Sequence, residues 1–291
     1  MPDYIIATDS CSSLPRSVVE QLELKIIPFS YMVDDEEHIG YDEDHDLDLK
    51  PFYNQMREGA ATKTSQPSIG QALEFFRGIL ETGNDLMFVG FSSALSGGFA
   101  TCSQALDTLK EEFPDQKIFA IDSLSACLGE GLLIYLACKE KQAGKTIEEV
   151  RDWIEDNKLK LAHWFTVDDL MYLFRGGRVS KTSAYAANVL NIKPVLHVDD
   201  QGRLIPMEKT MGRNKSIKKM VDHMEETGVK PLSGQTVFIC HGDCPKDAER
   251  LSRMIKERFG IQDIMIGDTS PVIGAHSGPG TLGLFFLAEH R

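Results

Sequence analysis

The stretch Gly90-Phe91-Ser92-Ser93-Ala94-Leu95-Ser96-Gly97-Gly98 follows an apolar run, Leu86-Met87-Phe88-Val89, and opens a helical pattern from Phe99 to Glu112. Serine hydroxyls and backbone N–H groups gathered at a helix N-terminus favour negative charge, so the ligand this stretch suits is an anion. The arrangement recurs twice. Tyr4-Ile5-Ile6-Ala7 runs into Thr8-Asp9-Ser10-Cys11-Ser12-Ser13, and Ile118-Phe119-Ala120-Ile121 runs into Asp122-Ser123-Leu124-Ser125. Any one cluster is explained by helix capping. Three at the C-terminal ends of strands, where open parallel sheets bind ligands, point to a site.

The elements that must position these groups are legible from periodicity. Strand patterns at Tyr4–Ala7, Lys25–Pro28, Asp85–Val89 and Lys117–Ile121 alternate with helical patterns at Pro15–Leu22, Leu49–Arg57, Ser68–Glu81, Phe99–Glu112, Cys127–Gln142 and Thr146–Asn157. This alternation predicts an α/β lobe with a largely parallel sheet over residues 1–158. From 159 to 291 the character changes. A strand at Leu161–Val167, short helices at Asp168–Phe174 and Thr182–Leu190, and a hairpin turning at Asp199-Asp200-Gln201-Gly202 come first. Helices at Lys215–Glu226 and Lys246–Phe259 then flank strands at Thr236–Cys240 and Asp263–Ile266, which predicts an α+β lobe with mixed pairing. A chain of 291 residues is long enough for two lobes sharing a cleft.

Composition removes several classes. With 31 basic and 44 acidic residues the net charge is −13, which argues against nucleic acid as a partner. No apolar run reaches membrane-span length and no basic leader opens the chain, so a cytoplasmic protein is expected. Six scattered cysteines do not make a disulfide framework, and Cys240-His241-Gly242-Asp243-Cys244 lacks a second pair at zinc spacing. No metal is expected. The acidic run from Asp34 to Asp48 does not fit a calcium loop and reads as a solvated, mobile surface loop. Gly278 to Gly283 matches G-x-G-x-x-G but has no following helix and strand, so no nicotinamide cofactor is expected. There is no phosphate-binding P-loop and no G-x-S-x-G elbow.

Six segments, in order, resemble the motifs of the DegV family of bacterial fatty-acid-binding proteins, which includes the FakB subunits of fatty acid kinase. They are Thr64-Ser65-Gln66-Pro67-Ser68, Ser92-Ser93-Ala94-Leu95-Ser96-Gly97, Asp122-Ser123, Arg175-Gly176-Gly177-Arg178, Asn191-Ile192-Lys193-Pro194 and His276-Ser277-Gly278-Pro279-Gly280. The resemblance implies that Thr64, Ser96 and His276 hold a fatty acid carboxylate, with Ser65 and Gly97 beside them. Roughly the last 20 residues would return to the cleft. The acyl chain would enter an apolar tunnel drawing on Phe165, Leu170, Leu173, Ala184, Ala187, Leu190 and Leu196. Family members often carry Thr and an aromatic after Ser-Gly; here Gly98 and Phe99 follow, which removes one neighbouring hydroxyl.

The expected ligand is therefore a long-chain fatty acid, with no further cofactor. The resemblance also implies a partner, the ATP-binding subunit of fatty acid kinase, which phosphorylates the bound carboxylate before an acyltransferase takes the acyl phosphate for phospholipid synthesis. Arg175 and Arg178, with Lys181, Arg203, Lys209, Arg213, Lys215, Lys218 and Lys219, make a basic patch suited to docking or phosphate contact. The chain would be a carrier, not a catalyst. The alternative is an esterase or acyl hydrolase using Ser96 and His276, with Asp9 or Asp122 orienting the histidine.

Overall fold

The computed structural model describes residues 4–180 and 192–291. The predicted helix at 182–190 and Lys181 lie outside these residues.

The first sheet is assembled from β1 (Tyr4–Asp9) and β2 (Lys25–Ile27). A hairpin of β3 (Ser30–Val33) and β4 (Glu36–Ile39) follows, then β5 (Thr62–Ser65), β6 (Asp85–Gly90) and β7 (Ile118–Asp122). Strands β2-β1-β6-β7 form a four-stranded, wholly parallel sheet, with Ile6 opposite Met87 and Gly90 opposite Asp122. Leu86, Met87, Phe88 and Val89 are all buried because helices cover both faces of such a sheet. The flanking helices begin where the sequence signals them. Ser68 and Gln71 close a capping box on the helix Ile69–Leu80, and Thr146 and Glu149 do the same on Ile147–Asn157.

Part of the acidic segment departs from expectation. Asp34 and Asp35 turn the chain, and Glu36–Ile39 pairs antiparallel with β3, which pairs on its other side with β5. The expected loop is thus the edge of a three-stranded sheet, with Asp34 Oδ1 accepting from the Ala61 amide at 2.9 Å. Sequence periodicity missed it because short charged strands carry little apolar alternation, and β3 finds β5 only across a long separation.

The second sheet runs β10-β9-β8-β13-β11-β12, from β8 (Leu161–Thr166), β9 (Ile192–Val198), β10 (Leu204–Met211), β11 (Val237–His241), β12 (Ile264–Asp268) and β13 (Leu282–Leu287). Every pairing is antiparallel except β11 with β12. The glycine-rich tail is the turn into β13, a central strand that sequence reading left unassigned. The helix Leu128–Gln142 joins the two sheets: Leu128, Leu132 and Leu133 share one core with Ile6, Met87 and Ile121 of the first and Phe238, Cys240 and Phe285 of the second. Among the described residues no helix is long and apolar enough to cross a membrane.

Asp9 ends β1 fully buried, its carboxylate accepting from the amides of Cys11 and Phe91, both at 2.9 Å. Burial pushes its pKa up to about 6, above that of the unfolded chain. The folded state therefore binds the extra proton between about pH 4 and 6, and stability falls as pH rises through that window and is level beyond it. Asp9→Asn is expected to erase that part of the slope, up to about 3 kcal/mol, in urea unfolding curves across the window. An unchanged slope would assign it elsewhere, with buried Glu130 the first suspect.

Candidate functional site

Segments that follow the strands of the parallel sheet, strand β5 and five strands of the six-stranded sheet line one cavity, with about 760 Å³ of empty space including its mouth. Cys11, Phe29, Phe91 and Leu95 line it from the first half of the chain, and Phe165, Leu173, Val198, Leu204 and Phe285 from the second. Polar side chains also face it, among them Thr64, Ser96, Arg178 and His276.

These four are linked contact by contact. Thr64 stands on β5, so the missed three-stranded sheet places it; its Oγ1 is 2.8 Å from His276 Nε2. His276 projects from the short helix Pro271–Ser277, which Thr62 Oγ1 ties to the same strand through Ala275 O at 2.9 Å. The other edge of the imidazole rests on Gly176: a Cβ there would stand 2.3 Å from Nδ1, so only glycine leaves room for the ring. Arg178 follows that turn, donating from Nη1 to Gly176 O and from Nε to Leu95 O at 3.1 Å. Ser96 is the next residue after Leu95. Its Oγ accepts at 3.1 Å from Gly98 N, the first amide of the helix Gly98–Glu112, leaving the hydroxyl proton to be donated.

Two of the expected head-group residues are not brought to the cavity. Strand alternation turns Ser65 to the exposed face opposite Thr64. Gly97 is exposed and is covered by Gln66, whose Oε1 would be 2.7 Å from a Cβ at 97. The departure at Gly98 has a structural counterpart. The ring of Phe29 occupies the space of a side chain at 98, its Cζ 2.2 Å from where a Cβ would be. An apolar wall thus stands where the family often has a hydroxyl.

The charge assignment also changes. Burial, reinforced by the positive charge of Arg178, holds His276 down to about 4. His276 is therefore neutral at pH 7, and Arg178 is the cation facing the cavity, half-buried with its own pKa lowered by burial. Sequence reading placed Arg178 with Arg175 on a docking surface because spacing alone does not say which of two arginines around Gly-Gly turns inward. Arg175 stays exposed over the ring of Tyr172, 5.5 Å from its centroid. Much of the remaining patch is neutralised: Arg203 pairs with Asp199, Arg213 with Asp247, Lys218 with Asp222 and Lys219 with Glu208.

Of the expected tunnel residues, Phe165 and Leu173 line the cavity, whereas Leu170 and Leu196 pack in the core behind it. Ala184, Ala187 and Leu190 lie outside the described residues. Sequence reading missed Cys11, Cys127, His163 and Cys240 on the cavity wall. His163 is buried and neutral, its Nε2 accepting from Ala126 N at 3.2 Å, which leaves Nδ1–H to donate to Leu161 O at 2.8 Å. The hydrolase arrangement is not assembled. His276 bonds Thr64 rather than Ser96, and the carboxylates of Asp9 and Asp122 accept from backbone amides.

An α/β fold with a largely apolar cavity, on whose wall Arg178, Thr64, Ser96 and His276 are gathered, has the shape and chemistry that suit an amphipathic anion. The chain matches the family described as "Uncharacterised protein, DegV family" over residues 4–289, and it belongs to that family. It is 42% identical over 291 residues to DegV domain-containing protein CPE0026 of Clostridium perfringens, spanning 100% of this chain and 99% of that one. Among solved structures it resembles a Thermotoga maritima protein reported to reveal fatty acid binding function, with 28% identity, a TM-score of 0.84 and coverage of 99% and 100%. It also resembles DegV, a fatty acid binding protein from Bacillus subtilis, with 26% identity, a TM-score of 0.84 and coverage of 99% and 100%.

Proposed function

We propose that this chain binds a long-chain fatty acid and presents its carboxylate to an ATP-dependent kinase subunit, which converts it to the acyl phosphate for phospholipid synthesis. The observation that carries the binding is the grouping of Thr64, Ser96, Arg178 and neutral His276 on the wall of a largely apolar cavity. Arg178 compensates the carboxylate charge and Ser96 offers a directional donor, while Nε2–H of neutral His276, bonded to Thr64 Oγ1, leaves the Thr64 hydroxyl proton as the second; charge-assisted bonds are about twice as strong as neutral ones. Burial of an ordinary membrane-length chain offers on the order of 10 kcal/mol before ordering and association costs. Related structures reported to bind fatty acids support this reading. The kinase step draws its support from the family resemblance and from the exposed Arg175 beside the site. In this reading residues 1–158 and 159–291 are two lobes closing on the ligand, and the chain is a non-catalytic carrier.

Solvent extraction and mass spectrometry of the purified protein are expected to recover one fatty acid per chain, or one after incubation with a fatty acid mixture. Ser96→Ala and His276→Ala should each weaken binding by about 1–3 kcal/mol, because the first removes a donor from a desolvated carboxylate and the second the imidazole that orients the Thr64 hydroxyl. A methyl ester that binds as tightly as the free acid would refute the head-group site.

A further inference from the structure

The cavity wall nearest the head-group residues holds a close fit that the carboxylate donors do not account for. Phe29, between β2 and β3, is 3% exposed and lines the cavity together with Leu95 and Val272, against which it packs. Its ring lies over Gly98: a Cβ on that glycine would stand 2.9 Å from Phe29 Cε2 and nearer still to Cζ. Gly98 is not in the left-handed region, so the demand for glycine there is steric. The backbone of Phe29 is pinned on the other side. Its amide donates to Ser10 Oγ at 3.0 Å and its carbonyl accepts from Gly40 N at 2.8 Å. A ring displaced from Gly98 therefore moves into the cavity.

Three contacts locate this ring beside the first carbons of a bound acyl chain. Gly98 N donates to Ser96 Oγ at 3.1 Å, and Leu95 O accepts from Arg178 Nε at 3.1 Å. Val272 stands four residues before His276 on the helix Pro271–Ser277, which puts the two on one face. Each neighbour of the ring is thus one step from a group that faces the head of the ligand.

We propose that Phe29, seated on Gly98, is a specificity-determining residue: it narrows the cavity beside the carboxylate, admitting straight-chain fatty acids and rejecting those branched at C2. The inference rests on the fatty-acid reading above and adds to it the class of acid that is refused. A bare methylene passes the ring as it stands. Methyl groups on C2 must push it toward Gly98, where the helix backbone already fills the space, and close-packed walls resist such insertions.

The test displaces a fluorescent fatty acid from the full chain with hexadecanoic acid, with its C2-dimethylated derivative and with an acid branched only at the tail end. The C2-dimethylated acid is expected to bind at least about tenfold more weakly than hexadecanoic acid, within the usual cost of overpacking. Phe29→Ala should bring those two acids within about threefold of each other and leave the ratio of tail-branched to straight acid unchanged. Gly98→Ala, which drives the ring into the cavity, should weaken hexadecanoic acid by about tenfold, and adding Phe29→Leu should restore most of that loss. Melting curves confirm folding, and if Phe29→Ala does not fold, Phe29→Leu carries the same comparison. A parent chain that binds straight and C2-dimethylated acids alike, or a folded Phe29 variant that discriminates as the parent does, overturns the proposal and leaves the fatty-acid reading intact. A gain shared equally by acids branched at either end also overturns it, since the ring would then set the overall width. If hexadecanoic acid itself does not bind the parent, both readings fall.

Discussion

Arg178→Ala is expected to bind a long-chain fatty acid about 2–5 kcal/mol more weakly than the unsubstituted chain, the range seen when one partner of a buried charge pair is truncated. The side chain faces the cavity and is oriented by Leu95 O and Gly176 O, so it meets the carboxylate without rearranging. His276 cannot replace it, because burial keeps that imidazole neutral at the pH where the ligand is ionised. Arg175→Ala, removing an exposed cation that lies over Tyr172, should bind as tightly as before and lower only acyl phosphate formation in the presence of the kinase subunit and MgATP. Fluorescent fatty acid displacement on both variants, with melting curves to confirm folding, separates the two roles. Equal affinity for Arg178→Ala and the parent would remove Arg178 from the head-group site.

Gly176→Val is expected to remove most of the fatty acid affinity without contributing any group of its own to the cavity. The backbone there is ordinary, at φ −72°, so the effect is steric: the added Cβ falls 2.3 Å from His276 Nδ1. The ring must turn away and its bond to Thr64 Oγ1 at 2.8 Å must break. Overpacking of this kind costs about 1–3 kcal/mol of stability, and the displaced imidazole no longer orients the Thr64 hydroxyl. Combining Gly176→Val with His276→Ala gives the decisive comparison. The stability loss should shrink in the double variant because the clashing ring is gone, whereas binding should stay at the level of His276→Ala alone. Additive losses of stability would show that Gly176 is constrained by something other than the histidine.

Much of the architecture was legible without coordinates. The parallel strands around Leu86-Met87-Phe88-Val89, the capping boxes at Ser68 and Thr146, and the hairpin at Asp199–Gly202 are local signals, each written within a few residues of the element that it specifies. Thr64, Ser96 and His276 were likewise identifiable by type and motif, and the structure brings all three to one cavity.

What the linear chain left open shares one cause: it depends on partners distant in sequence. The charged strand Glu36–Ile39 is a strand only because β3 lies beside it, and β3 is positioned in turn by β5. The final strand Leu282–Leu287 exists because β8 and β11 hold places on either side of it. Motif spacing cannot distinguish Arg175 from Arg178, nor Ser65 from Thr64. The pleat of β5 and the close contact between Gly176 and His276 select one of each pair. The protonation of His276 is likewise no property of its neighbours in sequence. It follows from desolvation in the finished cavity and from Arg178 packed against it, so residue types were readable in advance and their charges were not.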